Sequence, residues 1–137
     1  MAESGPALVE RLYACFNRRD EDCLAALCDE RMEFFPVATA EALGREAPYS
    51  GRDGLREYLA DVARVWEELR ITPGEVEARG ETLLVRGRAY ARSRERGIRD
   101  VPVAWIWQVR AGRFVRGEVF LDPERARASF SAGREAA

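Results

Sequence analysis

Residues Pro102 to Leu121, PVAWIWQVRAGRFVRGEVFL, decide the fold. They read as two alternating strands joined across Ala111-Gly112, a two-residue loop whose glycine supplies the positive φ of a tight hairpin. With Arg110 set opposite Arg113, strict alternation puts Pro102, Ala104, Ile106 and Gln108 on one face with Val115, Gly117, Val119 and Leu121. That face carries no charge and reads as the core side. The other face pairs Val103 with Phe120, Trp105 with Glu118, Trp107 with Arg116 and Val109 with Phe114. Large aromatics among charges there have the composition of an interface.

Working outward, Glu75–Arg79 and Thr82–Ser93 form a second hairpin across Gly80-Glu81. Its longer strand alternates Leu83, Val85, Gly87, Ala89 and Ala91 against Leu84, Arg86, Arg88, Tyr90 and Arg92. Residues 94–97 turn this hairpin into the central one. On the far side, Asp122-Pro123-Glu124 starts a short helix of one or two turns to about Phe130, leaving residues 131–137 as a frayed tail.

Towards the N-terminus, Leu55, Tyr58, Leu59, Val62, Trp66 and Leu69 recur at helical spacing in a long helix opened by Gly51-Arg52-Asp53 and stopped by Thr72-Pro73-Gly74. Residues 38–50, rich in Ala, Gly and Pro, read as a loop and as a lid. Arg31–Val37 is a short strand ended by Pro36, with Glu33 and Phe35 on one face and Met32 and Phe34 on the other. Pro6–Asn17 is an amphipathic helix capped by Ser4, and Asp20 caps a second, shorter one.

Composition narrows the chemistry. All 22 basic residues of the 137 are arginine, with no lysine and no histidine. Schiff-base lysines, histidine general bases, Ser–His and Cys–His pairs and imidazole metal sites are therefore excluded. Proton work falls to Asp, Glu, Tyr, Cys and Arg. Net charge is −2, with acids interleaved among the arginines, which argues against a nucleic-acid partner. No apolar run approaches the roughly 20 residues of a membrane span, and Met1–Pro6 lacks the features of a secretion signal. These features predict a cytoplasmic protein with no membrane partner. Cys15, Cys23 and Cys28 match neither a CxxC pair nor a disulfide framework and are expected as buried free thiols.

Three helices followed by a meander of long strands predict an α+β fold with the helices on one face of a curved antiparallel sheet. The local sequences NRRDEDCLAAL, the strand ending in Pro36, YSGRDGLREYL, the Trp105-x-Trp107 strand and AGRFVRGEVFLDPERA resemble the SnoaL-like group of the nuclear transport factor 2-like, or ketosteroid-isomerase-like, superfamily. The resemblance spans residues 6 to about 130 and makes residues 1–130 a single domain. It implies a cone: three N-terminal helices packed in a strongly curved antiparallel sheet, a short C-terminal helix, a pocket inside and often a dimer through the convex face.

Matched to ketosteroid isomerase, Leu12 stands at the tyrosine position, Phe35 at the base and Ala104 at the oxyanion acid, so that mechanism is not expected; Tyr13 is one residue off. The same match points Gly87, Ala89, Ala104, Gly117, Val119 and Leu121 inward. A pocket there would be apolar, with Tyr13, Phe35, Tyr49, Tyr58, Trp66, Ala104, Gln108, Gly117 and Val119 as binding residues for a small apolar molecule of polyketide, terpenoid or steroid-like kind. Glu33 is the one catalytic candidate, a carboxylate either desolvated between Met32 and Phe34 or, near the strand start, solvated or paired with an arginine. No cofactor and no metal are implied. Two classes stay open: a ligand binder or enzyme of this type, or a non-catalytic interaction module with a filled cone. The aromatic and arginine-rich face predicts a homodimer through Trp105, Trp107, Arg116 and Phe120.

Overall fold

The computed structural model describes residues 4–136, with side chains to residue 132. In chain order the elements are α1 (Gly5–Asn17), α2 (Glu21–Leu27), β1 (Cys28–Phe35), α3 (Val37–Leu43), β2 (Tyr49–Ser50), α4 (Gly51–Val65), β3 (Glu68–Arg79), β4 (Thr82–Ser93), β5 (Gly97–Arg110), β6 (Arg113–Phe120) and α5 (Pro123–Ala136). The strands form one sheet in the order β2-β1-β6-β5-β4-β3. Strand β1 runs parallel to β6 and every other pair is antiparallel, so the sheet is mixed rather than wholly antiparallel. Among the described residues no helix is long and apolar enough to cross a membrane.

The helix starts follow their caps. Ser4 Oγ accepts from the Ala7 N–H at 3.3 Å and Asp20 Oδ1 from the Cys23 N–H at 3.1 Å. The chain reverses tightly between α1 and α2, and this corner brings Cys15 and Cys23 together. Their Cα atoms are 5.7 Å apart and their sulfurs are joined as a disulfide, against the expectation of free thiols. Cys28 is a free, buried thiol. The Asn17 side chain fastens the end of α1 to β3, donating to the Ile71 carbonyl at 2.8 Å and accepting from the Ile71 N–H at 3.0 Å.

The central hairpin departs from strict alternation. Arg110 faces Arg113 and Val109 faces Phe114 as expected, but Gln108 then faces Arg116, with Val115 as the extra residue of a bulge. Beyond it Trp107 faces Gly117, Trp105 faces Val119 and Ala104 faces Phe120. One inserted residue exchanges the faces of β5 relative to β6. Val103, Trp105 and Trp107 join Phe114, Val119 and the Leu83, Val85, Ala91 row of β4 against α1, α2 and α4. Ala104 and Leu84 lie on the opposite face under Ala126 and Phe130 of α5, with Ile106 and Phe120 beside them.

The inner residues of β4 are as read from the sequence, as are Gly117 and Val119 of β6; Phe114 is inward where an outer position was expected, and the faces of β5 are exchanged. Trp105 and Trp107 are 3% and 4% exposed, so neither is available for the homodimer surface expected through them. Phe120 is partly covered by α5, and the Arg116 guanidinium lies 4.7 Å from the ring centre of Phe35 rather than over Trp107.

Several element boundaries also differ, among them the starts of β1 at Cys28 and of β3 at Glu68. Residues 37–43 form α3, closed by Gly44 at φ 66°, where a loop was expected. Helix α4 ends at Val65, and Leu69 belongs to β3, whose inward alternation with Ile71 matches helical spacing equally well. Pro73 and Gly74 do not stop an element but sit at a bulge of β3, where an edge strand tolerates a proline. Helix α5 runs on through residues 131–136, where a frayed tail was expected; residue 137 lies outside the described residues.

Candidate functional site

Between the inner sheet face and the helices is a cavity of about 140 Å³. Its deep wall is aromatic. Tyr13 stands edge-on to Trp105, with centroids 4.9 Å apart, and its hydroxyl oxygen accepts from Trp107 Nε1–H at 3.1 Å. Phe34 stacks on Trp107 at 5.5 Å and meets Tyr58 edge-on at 5.0 Å. Trp107 can lie flat across β6 because Gly117 has no side chain: a Cβ there would fall 2.1 Å from the indole. Gly87 chiefly admits the backbone of β3, its Cβ position lying 2.1 Å from the Thr72 carbonyl oxygen, and only secondarily Trp105, 3.1 Å away. The small inner residues thus accommodate β5's own tryptophans as well as leaving a void.

Towards solvent the cavity is bounded by Pro36, Thr39 of α3, Trp66, Arg99, Val101 and Leu121. Thr39 is buried; its Oγ1 accepts from Trp66 Nε1–H at 3.0 Å, and it is also hydrogen-bonded to Tyr58. Residues 38–43 of the segment read as a lid are therefore part of an ordered helix, held against the core by the Thr39 hydroxyl and by the packing of Ala38.

Of the residues expected to bind, Tyr13, Tyr58, Trp66 and Val119 line the cavity. Gly117 lies beneath Trp107, and Tyr49 is one layer back, its ring 5.2 Å from Tyr58 and its hydroxyl donating to Asp61 Oδ2 at 2.8 Å. The bulge removes Ala104 and Gln108, Ala104 to the α5 side and Gln108 to solvent. Phe35 is half-buried on the outer face. Glu33 is exposed, because Met32 and Phe34 take the inward positions of β1 and leave it facing away from the cavity.

Thr39, Asp61 and Arg99 carry polar roles that the sequence reading did not single out. Asp61 had a signal: it follows Tyr58 by three residues, on the apolar stripe of α4, where a carboxylate requires a partner. It has two, Tyr49 and, at 3.4 Å, Arg64.

Among the described lining residues there is no carboxylate. Burial raises the Tyr13 hydroxyl pKa well above its ordinary value, with the Trp107 hydrogen bond opposing. Tyr58 is raised by burial against the opposing charge of Arg19, and the Cys28 thiol is pushed up to about 12 by burial. These groups remain protonated at neutral pH. The cavity can hold an apolar body and offer hydrogen bonds; among the described lining residues there is no group poised to accept a proton at neutrality. Among the described residues, no three Cys, Asp or Glu side chains converge as metal ligands.

Residues 9–117 match the family described as the SnoaL-like domain. No curated protein matches the sequence. Among solved structures, the chain is similar to an NTF2-like protein of unknown function from Burkholderia pseudomallei K96243, at 21% identity, 88% coverage of this chain, 92% of that one and a TM-score of 0.76. TerC, co-crystallised with polyporic acid, is similar at 22% identity, 90% and 95% coverage and a TM-score of 0.76. A ketosteroid-isomerase-like protein from Catenulispora acidiphila DSM 44928, in complex with trimethylamine, is similar at 14% identity, 85% and 86% coverage and a TM-score of 0.71. At these identities the similarities establish the fold.

Proposed function

The chain belongs to the SnoaL-like domain family, and from that premise we propose that it binds a small, ring-bearing apolar molecule in the cone without supplying an acid or base to it. The observation that carries this reading is the Tyr13 hydroxyl. Its oxygen is occupied by the Trp107 N–H, and among the described residues its own proton meets no acceptor. A buried donor left unmatched beside an apolar void costs about 1–3 kcal/mol, which a carbonyl or hydroxyl oxygen on a ligand would recover.

Size sets the ligand's shape. A dry apolar cavity of about 150 Å³ holds benzene, whereas drug-sized ligands need about 300–1,000 Å³. The 140 Å³ here fits one ring inside. Any further ring lies at the mouth against Val101 and Leu121, two of the exposed large apolar side chains. Small molecules accompany two of the similar structures, TerC with polyporic acid and the C. acidiphila protein with trimethylamine, which supports a ligand-binding role.

The competing reading, a filled interaction module, draws on Trp105 and Trp107 occupying the space over Gly87 and Gly117. Titration with 4-acetylbiphenyl, followed by tryptophan fluorescence, separates the two. Saturable quenching is expected, lost in Ala89→Leu, which fills the void, and weakened about fivefold in Tyr13→Phe, the loss of one hydrogen bond worth about 1 kcal/mol. No saturable quenching, or quenching indifferent to Ala89→Leu, would favour the filled module.

A further inference from the structure

The inner face of β5 carries, from the mouth inward, Arg99, Val101, Val103, Trp105 and Trp107, and each of these lines the cavity. The first two project from a part of β5 with a single neighbour. The last pair with β6 is Ala104 with Phe120, so Gly97–Val103 is bonded to β4 alone, Arg99 facing Ala91 and Val101 facing Ala89. One side of the mouth is therefore a strand edge bearing a single cation at its outer end.

Arg99 is the only charged residue among the described lining residues. Three nearby arginines have carboxylates: Arg88 holds Asp100 at 3.1 Å, Arg94 holds Glu67 at 3.2 Å and Arg92 is paired with Glu67 and Glu68. Arg99 has none among the described residues. Asp100, its neighbour in sequence, points to the other face and is taken by Arg88. Beside Arg99, Val101 is 37% exposed and Leu121 46% exposed, an apolar rim that a ligand's body would cover.

From this arrangement, and resting on the ligand-binding reading above, we infer that the site is built for an elongated aryl carboxylate, its ring system inward and its acid group at Arg99. A guanidinium presents two parallel N–H donors that match the two oxygens of a carboxylate. Arg99 and Trp105 are six residues apart, about 20 Å along a strand rising roughly 3.3 Å per residue. The arginine side chain spans part of that distance, and a two-ring body spans much of the rest. A compact, one-ring acid would reach the cation or the aromatic wall, not both.

The test compares biphenyl-4-carboxylate with its neutral isostere biphenyl-4-carboxamide, by calorimetric titration at low salt. The acid is expected to bind about fivefold more tightly, the scale of a solvent-accessible ion pair, and raising the salt to about 0.5 M should close the gap. Arg99→Gln is expected to bring the two ligands to within about twofold of each other. Arg96→Gln, which removes the same charge from the adjoining turn, should leave the ratio unchanged. Equal affinity of acid and amide for the unmodified protein would overturn the inference while leaving the ligand-binding reading in place. An equal loss of preference in Arg96→Gln would also overturn it, by showing that only overall charge is sensed. Failure of both compounds to bind would overturn the inference and the reading beneath it.

Discussion

Gly117 shows how much one missing methyl group can position. Its Cβ would fall 2.1 Å from Trp107, and that indole is held on its other sides by Phe34, Phe114 and Tyr13. The ring has nowhere to retreat, so Gly117→Ala overpacks the core. A loss of about 2–3 kcal/mol is expected by denaturant titration, together with a change in tryptophan fluorescence of the folded state. Unchanged stability would show that the indole is free to move. This glycine was legible from the sequence as an inward small residue, and its inward position holds. What it makes room for was not legible, because Trp107 had been placed on the opposite face. The information that moves Trp107 is a single bulged residue, Val115, and a bulge leaves the alternation on either side of it intact. A conflict was nevertheless visible: Val103, Trp105, Trp107 and Val109 form a more apolar set than Pro102, Ala104, Ile106 and Gln108. Both that set and Gly117-x-Val119 can face inward only if the register shifts between them.

At the scale of elements, α3 differs most from its sequence reading. ATAEAL has strong helix formers, but its N-cap is Pro36 and no side chain caps it, so the usual start signal is missing. Thr39 compensates through its bonds to Trp66 and Tyr58. Thr39→Val keeps the shape and removes the hydroxyl. It should destabilise the fold by about 1–2 kcal/mol, since the buried Trp66 N–H loses its acceptor. Amide exchange over residues 37–43 should quicken more than in α4. Equal exchange in the two helices would mean that the hydroxyl does not pin α3. By contrast, the starts of α1 and α2 and the β4 alternation were legible, because Ser4, Asp20 and the Leu83-to-Ala91 pattern act through local sequence alone, whereas the disulfide between the two helices was not. The boundary of α4 failed at Leu69 because period 3.6 and period 2 both place it inward. The site was legible to the extent that the helices supply it, through Tyr13 and Tyr58, at the end of α4 through Trp66, and on β6 through Val119. It failed on β5 and β1, where Ala104, Gln108 and Glu33 face away.

Over the whole molecule, the curved sheet has helices on both faces, α1, α2 and α4 inside and α5 outside. The inner layer buries groups that must stay neutral, and this gives stability an alkaline limit. The Cys28 thiol rises from an ordinary 9.0 to about 12, and Tyr13 and Tyr58 rise from 10.0, all chiefly through burial. A folded-state pKa above the unfolded one means that the folded protein holds the proton longer. The corresponding stability is complete below the unfolded values and is lost as pH climbs past them. Stability should therefore be flat around neutrality and fall from about pH 9 upward, with the earliest part of the fall removed in Cys28→Val. A decline beginning well below pH 8 would point to a different buried acid.

An apolar ring is expected to enter the cone between the helices and the inner face of β4 and β5. Intermolecular nuclear Overhauser effects from 4-acetylbiphenyl measure this directly. Contacts are expected from its ring protons to the methyl groups of Ala89 and Ala91 and to the Trp105 indole, all of which line the cavity. Contacts confined to surface side chains such as Ile98, 66% exposed and outside the cavity, would contradict it.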